Sequence, residues 1–382
     1  MGTTEVCWES VVARRMARHH LTTPAASSPA DVVRAMCGAH AQVLSAAEVS
    51  VALRLESATR VDVQRALWDD RTLVKTFGPR GTVHLLPAED LPLWTAAFSA
   101  LPRSGSARPE SMRMTHNQTD QVIEAIGAAL SEDDLTIDEL SEQVVARTGS
   151  WAGDLVMPAF QEFWPRWRQA IGTAAQAGVL CYGPNRGRKA TYSNPQRFTP
   201  FKPQNGEEAL SEILRRFLHA YGPATPQQFA KWLATSPAVV AKLFSATPEL
   251  REVELDGKPA WLVDGDTEPP KERASGVRLL PYFDAYAVGS HPRELLFPGK
   301  AWTRALAGGQ AGNYPVLLVD GIVAGVWHQR RAGRKVQVTV EPLRRLSPAE
   351  IRDLDDQVSR LGEILDATPA LTIGEVTVGG HA

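Results

Sequence analysis

One recurring pattern constrains this chain more than any bulk property does. Residues 206–244 read GEEALSEILRRFLHAYGPATPQQFAKWLATSPAVVAKLF. Apolar positions at helical spacing run to Tyr221, where Gly222 and Pro223 break the segment. Thr225 then precedes Pro226, and Ser236 precedes Pro237. Each pair is a capping residue followed by Pro at the first helical position, where its missing N–H has no partner to lose. LREVELDGKPAWLV follows, with β-type residues on both sides of Asp256-Gly257, a pair suited to the positive φ angles of a tight hairpin. Helices around a turn, followed by a hairpin, predict a winged helix-turn-helix.

The same order occurs twice upstream. Val11, Val12 and Met16 mark a helix that ends by Thr22-Thr23-Pro24, and Ser28-Pro29 opens DVVRAMCG. A third helix covers roughly Ala46 to Leu55, and Arg60-Val61-Asp62 opens a fourth. LVKTFGPRGTVHLLP then predicts a hairpin around Gly78-Pro79-Arg80-Gly81. Next come the amphipathic TDQVIEAIGAAL, and LTIDELSEQVV with Thr136 and Glu139 at capping-box spacing. A helix around Arg166 to Ala177 and the hairpin-like VLCYGPNRGRKATYSN complete that copy. Repetition in series is much harder to dismiss than one match. From about Gly276 the pattern changes to strands, with turns at Asp320-Gly321 and Arg331 to Lys335, and a closing helix IRDLDDQVSRLGEIL. The expectation is an α+β protein: tandem winged helix-turn-helix modules at 1–115, 116–203 and 204–275, then a β-rich region at 276–382 with a small antiparallel sheet.

Charge restricts how such a chain meets nucleic acid. The formal net charge is −2, so any DNA-binding face must gather its Lys and Arg locally. Arg14, Arg15 and Arg18, then Arg186, Arg188 and Lys189, then Arg330, Arg331, Arg334 and Lys335 are the candidate clusters. A scattered run of Arg is more often a solvated face than a binding one. Three widely spaced Cys fit no metal or disulfide framework and suggest a reducing compartment. The first residues lack the apolar core of a signal peptide, and no run is long enough to span a bilayer, which together point to a cytoplasmic protein. GxGxxG, Walker A, HExxH, CxxC and GxSxG signatures are absent, so no cofactor and no metal are expected.

What remains is a polar interruption. Residues 38–44 read GAHAQVL, placing His40 and Gln42 one residue apart inside an apolar region. In an extended segment such residues project to one side. Without further context, a backbone cap for Gln42 and a hydrogen-bonded core position for His40 are the commoner roles for these residue types.

CGAHAQVLSAAEVSVALRL, RGTVHLLPAEDLPLW, YGPATPQQFAKW, PYFDAYAVGSHPRELLFP and VLLVDGIVAGVW, in that order, resemble the AlkZ-like winged-helix DNA glycosylases, which include the YcaQ-type enzymes. The resemblance spans nearly the whole chain. It implies tandem winged helices in a C-shaped arrangement around DNA, with a further β-hairpin probing the duplex. The family's catalytic motif, usually Gln-x-Gln or Gln-x-Asp, falls on His40-Ala41-Gln42. The departure at the first position resembles a His-x-Gln variant associated with bulky antibiotic adducts.

The implied reaction is hydrolysis of the N-glycosidic bond of an N7-alkylated purine. The alkylated base is cationic and leaves readily, through an oxocarbenium-like transition state. The enzyme then has to place a water at C1′ and stabilise positive charge on the sugar. Gln42 takes the positioning and electrostatic role, and His40 the water-orienting or weak general-base role. DNA contacts are expected from Arg80, Thr82 and His84 in the first hairpin, with His84 equally suited to filling the strand interior. His291 and Arg293 are placed to reach phosphate, and Arg330, Arg331, Arg334 and Lys335 to form the probing tip. Tyr282, Phe283 and Asp284 are candidates to line the cleft, Asp284 either lending charge beside the sugar or capping a turn. The motif carries no amine nucleophile, so no lyase step is expected. The expected partner is double-stranded DNA bearing alkylated purines, bound by a monomer, for repair or self-resistance. The competing readings are a non-catalytic winged-helix regulator or damage sensor, and an interaction scaffold without DNA contacts.

Overall fold

Local signals set most of the helices. In the computed structural model, which describes residues 4–102, 109–159, 162–202, 204–266, 270 and 272–380, side-chain caps open many of them. Ser28 and Asp31 form a capping box before helix Pro29–Ala35, as do Thr136 and Glu139 before Ile137–Thr148 and Thr225 and Gln228 before Pro226–Leu233. Each box satisfies N-terminal N–H groups that the helix itself leaves unbonded. Asp256-Gly257 and Asp320-Gly321 all take positive φ, as two-residue hairpins require.

The chain packs as two units, one of residues 1–69 and 214–382, the other of 70–213. In the first unit, helices Trp8–Arg18, Pro29–Ala35, Leu44–Ala52 and Arg60–Trp68 precede the chain's excursion into the second. Helices Pro226–Leu233 and Pro237–Ala246 lead into the hairpin Leu250–Leu255 and Lys258–Val263. Strand Thr4–Val6 joins that hairpin in parallel, an addition that the apolar pattern does not announce. Val6, Val11, Val253, Leu255 and Leu262 close a small core there.

The C-terminal sheet has five strands, in the order Val277–Leu280, Val316–Val319, Ile322–Ala332, Lys335–Pro342 and Thr368–Ile373. Its first four strands pair antiparallel, but the edge strand runs parallel to Lys335–Pro342. The expected antiparallel sheet is therefore mixed. The reason is the connection: helix Pro348–Leu365 crosses over between the last two strands, and such a crossover returns the chain in the same direction. Leu280, Tyr286, Leu296, Phe297, Val316, Leu318 and Val326 share the core on this sheet with Val12 and Met16 of the first helix.

The second unit packs helices His116–Ala129, Ile137–Thr148 and Ile171–Gln176 around Val122, Ile126, Leu140, Val144, Trp167 and Leu180. The expected helix from Arg166 begins as a 3-10 turn over Arg166–Ala170 and becomes α-helical only from Ile171. Two hairpins stand where the alternation placed them: Leu73–Phe77 with Val83–Pro87, and Cys181–Arg186 with Lys189–Ser193. A third, Leu155–Pro158 with Phe163–Pro165, was not expected, because its strands are very short and Pro-bounded. Among the described residues no helix is long and apolar enough to cross a membrane.

Candidate active site

Backbone geometry presents the His-x-Gln pair. After helix Pro29–Ala35, Cys37 and Gly38 both take positive φ, and their N–H groups bond back to Arg34 and Val33 carbonyls at 2.9 Å. This αL ending turns the chain into the short strand Ala39–His40. Side chains then alternate: Ala39 and Ala41 are buried, His40 is half-buried and Gln42 is exposed. With period two, the alanines face the core, Gln42 reaches solvent, and the His40 ring is partly enclosed with its Nδ1 inside. The apolar run that follows becomes helix Leu44–Ala52, in which every residue from Ala46 to Ala52 is buried. Even Glu48 is buried there, ion-paired to Arg60 and accepting from Gln64 Nε2 at 2.9 Å.

The wall beside His40 is built by PYFDAY. The Phe283 ring lies against the His40 ring, with centroids 4.7 Å apart and planes at 46°. Asp284, the next residue, is fully buried and accepts bonds from Arg54 Nη2 at 2.8 Å, Arg54 Nη1 at 2.9 Å and Ser50 Oγ at 2.6 Å. It also caps helix Ala285–Gly289 by accepting from the Tyr286 N–H at 3.0 Å. Burial alone would raise its pKa. Arg54 and the Ser50 hydroxyl outweigh burial and hold the carboxyl below its ordinary value. Asp284 is thus an ionised anchor for the loop, and its oxygens are occupied by protein donors.

The remaining sequence-selected residues have varied surroundings. His84 is buried, and its Nδ1 lies 2.9 Å from the Thr82 carbonyl. Arg80 adopts a left-handed φ of 61° at the hairpin tip, and Thr82 Oγ1 donates to the Pro79 carbonyl at 3.2 Å. Arg293 donates to the Ala287 and Val288 carbonyls, so its guanidinium holds the adjoining loop. The His291 carbonyl accepts from Arg15 at 2.6 Å. Arg330, Arg331, Arg334 and Lys335 are all exposed, at the turn between strands Ile322–Ala332 and Lys335–Pro342. The nearby His328 is half-buried, and burial followed by Arg330 lowers its pKa, which leaves it neutral near pH 7.

The three Arg clusters differ in their surroundings. Arg14 and Arg15 are buried, with Arg15 also bonding the Gly222 and Pro223 carbonyls at 3.4 and 3.2 Å, while Arg14 and Arg18 pair with Asp266. Arg186 pairs with Glu139 and Lys189 with Asp138. The 186–189 and 330–335 clusters are both exposed, the first with Arg186 and Lys189 ion-paired to carboxylates. The sequence could not distinguish these cases, since partners such as Asp266 lie some 250 residues away. Among the described residues, no group of His, Cys, Asp or Glu is arranged to hold a metal ion.

Beneath the site, His19 is fully buried, in edge contact with Tyr221 and Tyr286, and its Nε2 lies 3.1 Å from the Ala220 carbonyl. Burial, then Arg54, lowers its pKa to about 3, and burial with Arg293 does the same for His291. Both are neutral when folded, whereas in the unfolded chain they titrate near 6.5. Protons therefore favour the unfolded state, and stability present above pH 6.5 is lost as pH falls toward 3. Each histidine removes about 2 kcal/mol between pH 6.5 and 4.5. Urea midpoints measured over that range are expected to fall steeply for the native chain and less steeply for His19→Gln, the other pKa-lowered histidines keeping part of the slope. An unchanged slope in that variant would show that His19 is not the titrating group.

Comparison with known proteins gives concordant results. Residues 33–364 match the family described as DNA glycosylase AlkZ-like. The interstrand DNA cross-link repair glycosylase of Streptomyces sahachiroi is 35% identical over 338 residues, spanning 84% of this chain and 87% of its own length. The solved structure of Streptomyces sahachiroi DNA glycosylase AlkZ aligns with a TM-score of 0.78 at 30% identity, covering 97% of this chain and 100% of that one.

Proposed function

The chain belongs to the AlkZ-like DNA glycosylase family, and from that premise we propose that it is a monofunctional glycosylase that hydrolyses the N-glycosidic bond of N7-alkylated purine nucleotides in duplex DNA, bulky or cross-linked adducts included. The observation that carries this reading is the alternation of half-buried His40 and exposed Gln42 with buried Ala39 and Ala41, in the segment that resembles the family's catalytic motif. The cross-link component rests on the activity named for the relative from Streptomyces sahachiroi.

The chemistry asks little of a general acid, because an N7-alkylated purine departs as a neutral base. What it needs is a water held at C1′ and dipoles aimed at the developing oxocarbenium ion. The Gln42 carbonyl oxygen accepts from that water or faces the sugar cation, while the His40 imidazole orients the same water or takes its proton. No Lys stands in the motif to attack C1′, so the product is an abasic site with an intact strand. Asp284 takes no direct part, since Arg54, Ser50 and the Tyr286 N–H occupy its oxygens.

Winged-helix modules over 1–115, 116–203 and 204–275 are part of the same proposal. They are supported by the order of elements, most completely in the capped helices and hairpin between Gly206 and Val263. They describe succession along the chain, which differs from the two packing units. The exposed 330–335 tip is assigned the role of basic probe. Replacing Arg330, Arg331, Arg334 and Lys335 together by Gln is expected to flatten the plot of log affinity against log salt by about 3 to 4, close to one for each phosphate no longer neutralised. Fluorescence anisotropy across a salt series measures it, and an unaltered slope removes the tip from the interface.

The direct test incubates purified protein with duplexes carrying N7-methylguanine or a bulky N7 mustard adduct. Free base and an alkali-labile site are expected with the native chain and not with Gln42→Ala. Selective binding to undamaged sequence without base release would favour a regulator instead.

A further inference from the structure

We propose that Phe283 is a positioning residue for His40, clamped in place by Gly312, and that this clamp sets the rate of the proposed glycosylase reaction. The proposal rests on the reading of His40 as the water-orienting group. Its starting point is a backbone outlier: Phe283 is not glycine, yet its φ is +56°. Conformations of this kind persist where the surroundings over-determine them, and they cluster at functional sites.

The surroundings here do over-determine it. The Phe283 N–H donates to the Gly312 carbonyl at 2.9 Å. On the other side, Asp284 is fixed by Arg54 and Ser50 inside the protein. The backbone is therefore pinned at consecutive residues, and the ring is delivered to the face of His40. Ordinary core packing does not account for the arrangement. Phe283 is only half-buried and lies outside the apolar core that its neighbours Leu280, Tyr286 and Ala287 join.

Gly312 makes the clamp specific. Its own φ is +106°, a backbone that side chains rarely adopt. A Cβ built there would stand 2.9 Å from Phe283 Cδ1 and 3.2 Å from Phe283 Cα. It would meet Val288 Cγ2 equally closely, at 2.9 Å, so a side chain at 312 presses on the Phe283 ring, its backbone and Val288 together. The imidazole has soft torsions and must hold one orientation toward a water. An aromatic wall removes that freedom before substrate arrives, and small errors of placement cost large factors in rate.

The test uses the full-length chain and a duplex with a single N7-methylguanine or N7 mustard adduct, under single-turnover conditions. Phe283→Leu is expected to slow base release about tenfold to a hundredfold while the protein concentration for half-maximal rate stays within twofold. Phe283→Tyr keeps the ring and is expected to stay within about threefold of the native rate. Gly312→Ala should reproduce the loss without touching His40 directly. Combining Phe283→Leu with His40→Ala should be no slower than His40→Ala alone, because the wall then has nothing to orient. The His40 ring-proton resonances, shifted by the ring current of Phe283, should move in Phe283→Leu with or without substrate. A native-like rate in Phe283→Leu, or losses that multiply in the double variant, overturns the proposal while leaving the glycosylase reading intact. A native chain that releases no base from either adduct overturns both.

Discussion

Replacing Gln42 with Ala is expected to slow base release by about a hundredfold to a thousandfold under single-turnover conditions, equivalent to about 3–4 kcal/mol of transition-state stabilisation. A prealigned amide dipole acts where charge develops, and its loss appears in the chemical step. DNA affinity should change little, since the tip charges are untouched. Stability should also stay within about 0.5 kcal/mol, because Gln42 is exposed and removing its side chain opens no cavity. His40→Ala is expected to cost roughly a hundredfold by the same assay, as removal of a group that orders or deprotonates water does. His40→Gln keeps an acceptor in place and matches the residue usual in the family, so it should recover most of that loss. Rapid-quench measurement of base release, with anisotropy for binding and urea melts for stability, separates these effects. A Gln42→Ala protein with native rates would remove the central residue of the mechanism.

The second large effect concerns stability. Asp284 and Arg54 are both fully buried and joined by two charge-assisted hydrogen bonds of 2.8 and 2.9 Å. Removing one partner leaves the other charge inside the protein without compensation. Asp284→Ala or Arg54→Ala is therefore expected to cost about 3–5 kcal/mol. Typical domains have only about 5–15 kcal/mol to lose, so either variant approaches the limit of folding. The double replacement Arg54→Met with Asp284→Leu should cost much less than the sum of the single changes, since no charge is then stranded. Denaturant melts of the four proteins give the cycle directly. Additive losses would mean that the pair does not act as a unit. Activity in the double variant is also informative, because Asp284 sets the backbone from which Phe283 reaches His40.

The parts of the fold legible in the sequence were those governed by neighbours along the chain. Ser28 with Asp31, Thr136 with Glu139, and Thr225 with Gln228 cap their helices within a single turn, so spacing alone identifies them. Asp256-Gly257 and Asp320-Gly321 announce hairpins because few other residues tolerate their φ angles. The alternation of His40 and Gln42 with buried Ala39 and Ala41 also follows from a local rule, the period of two in an extended segment.

Pairings between distant residues were not legible. Neighbouring residues were enough to fix where most helices and turns begin, and they brought the His-x-Gln pair forward as the candidate chemistry. Packing of distant segments makes Arg14, Arg15 and Arg18 internal ties while the 330–335 tip stays exposed to solvent. It also decided that the last strand runs parallel, that Asp284 belongs to Arg54, and that Phe283 faces His40 across 243 positions of chain. The physical reason is range. Capping and turn geometry depend on atoms a few bonds apart, whereas the burial of a charge or the seating of a ring depends on which distant segment folds against it.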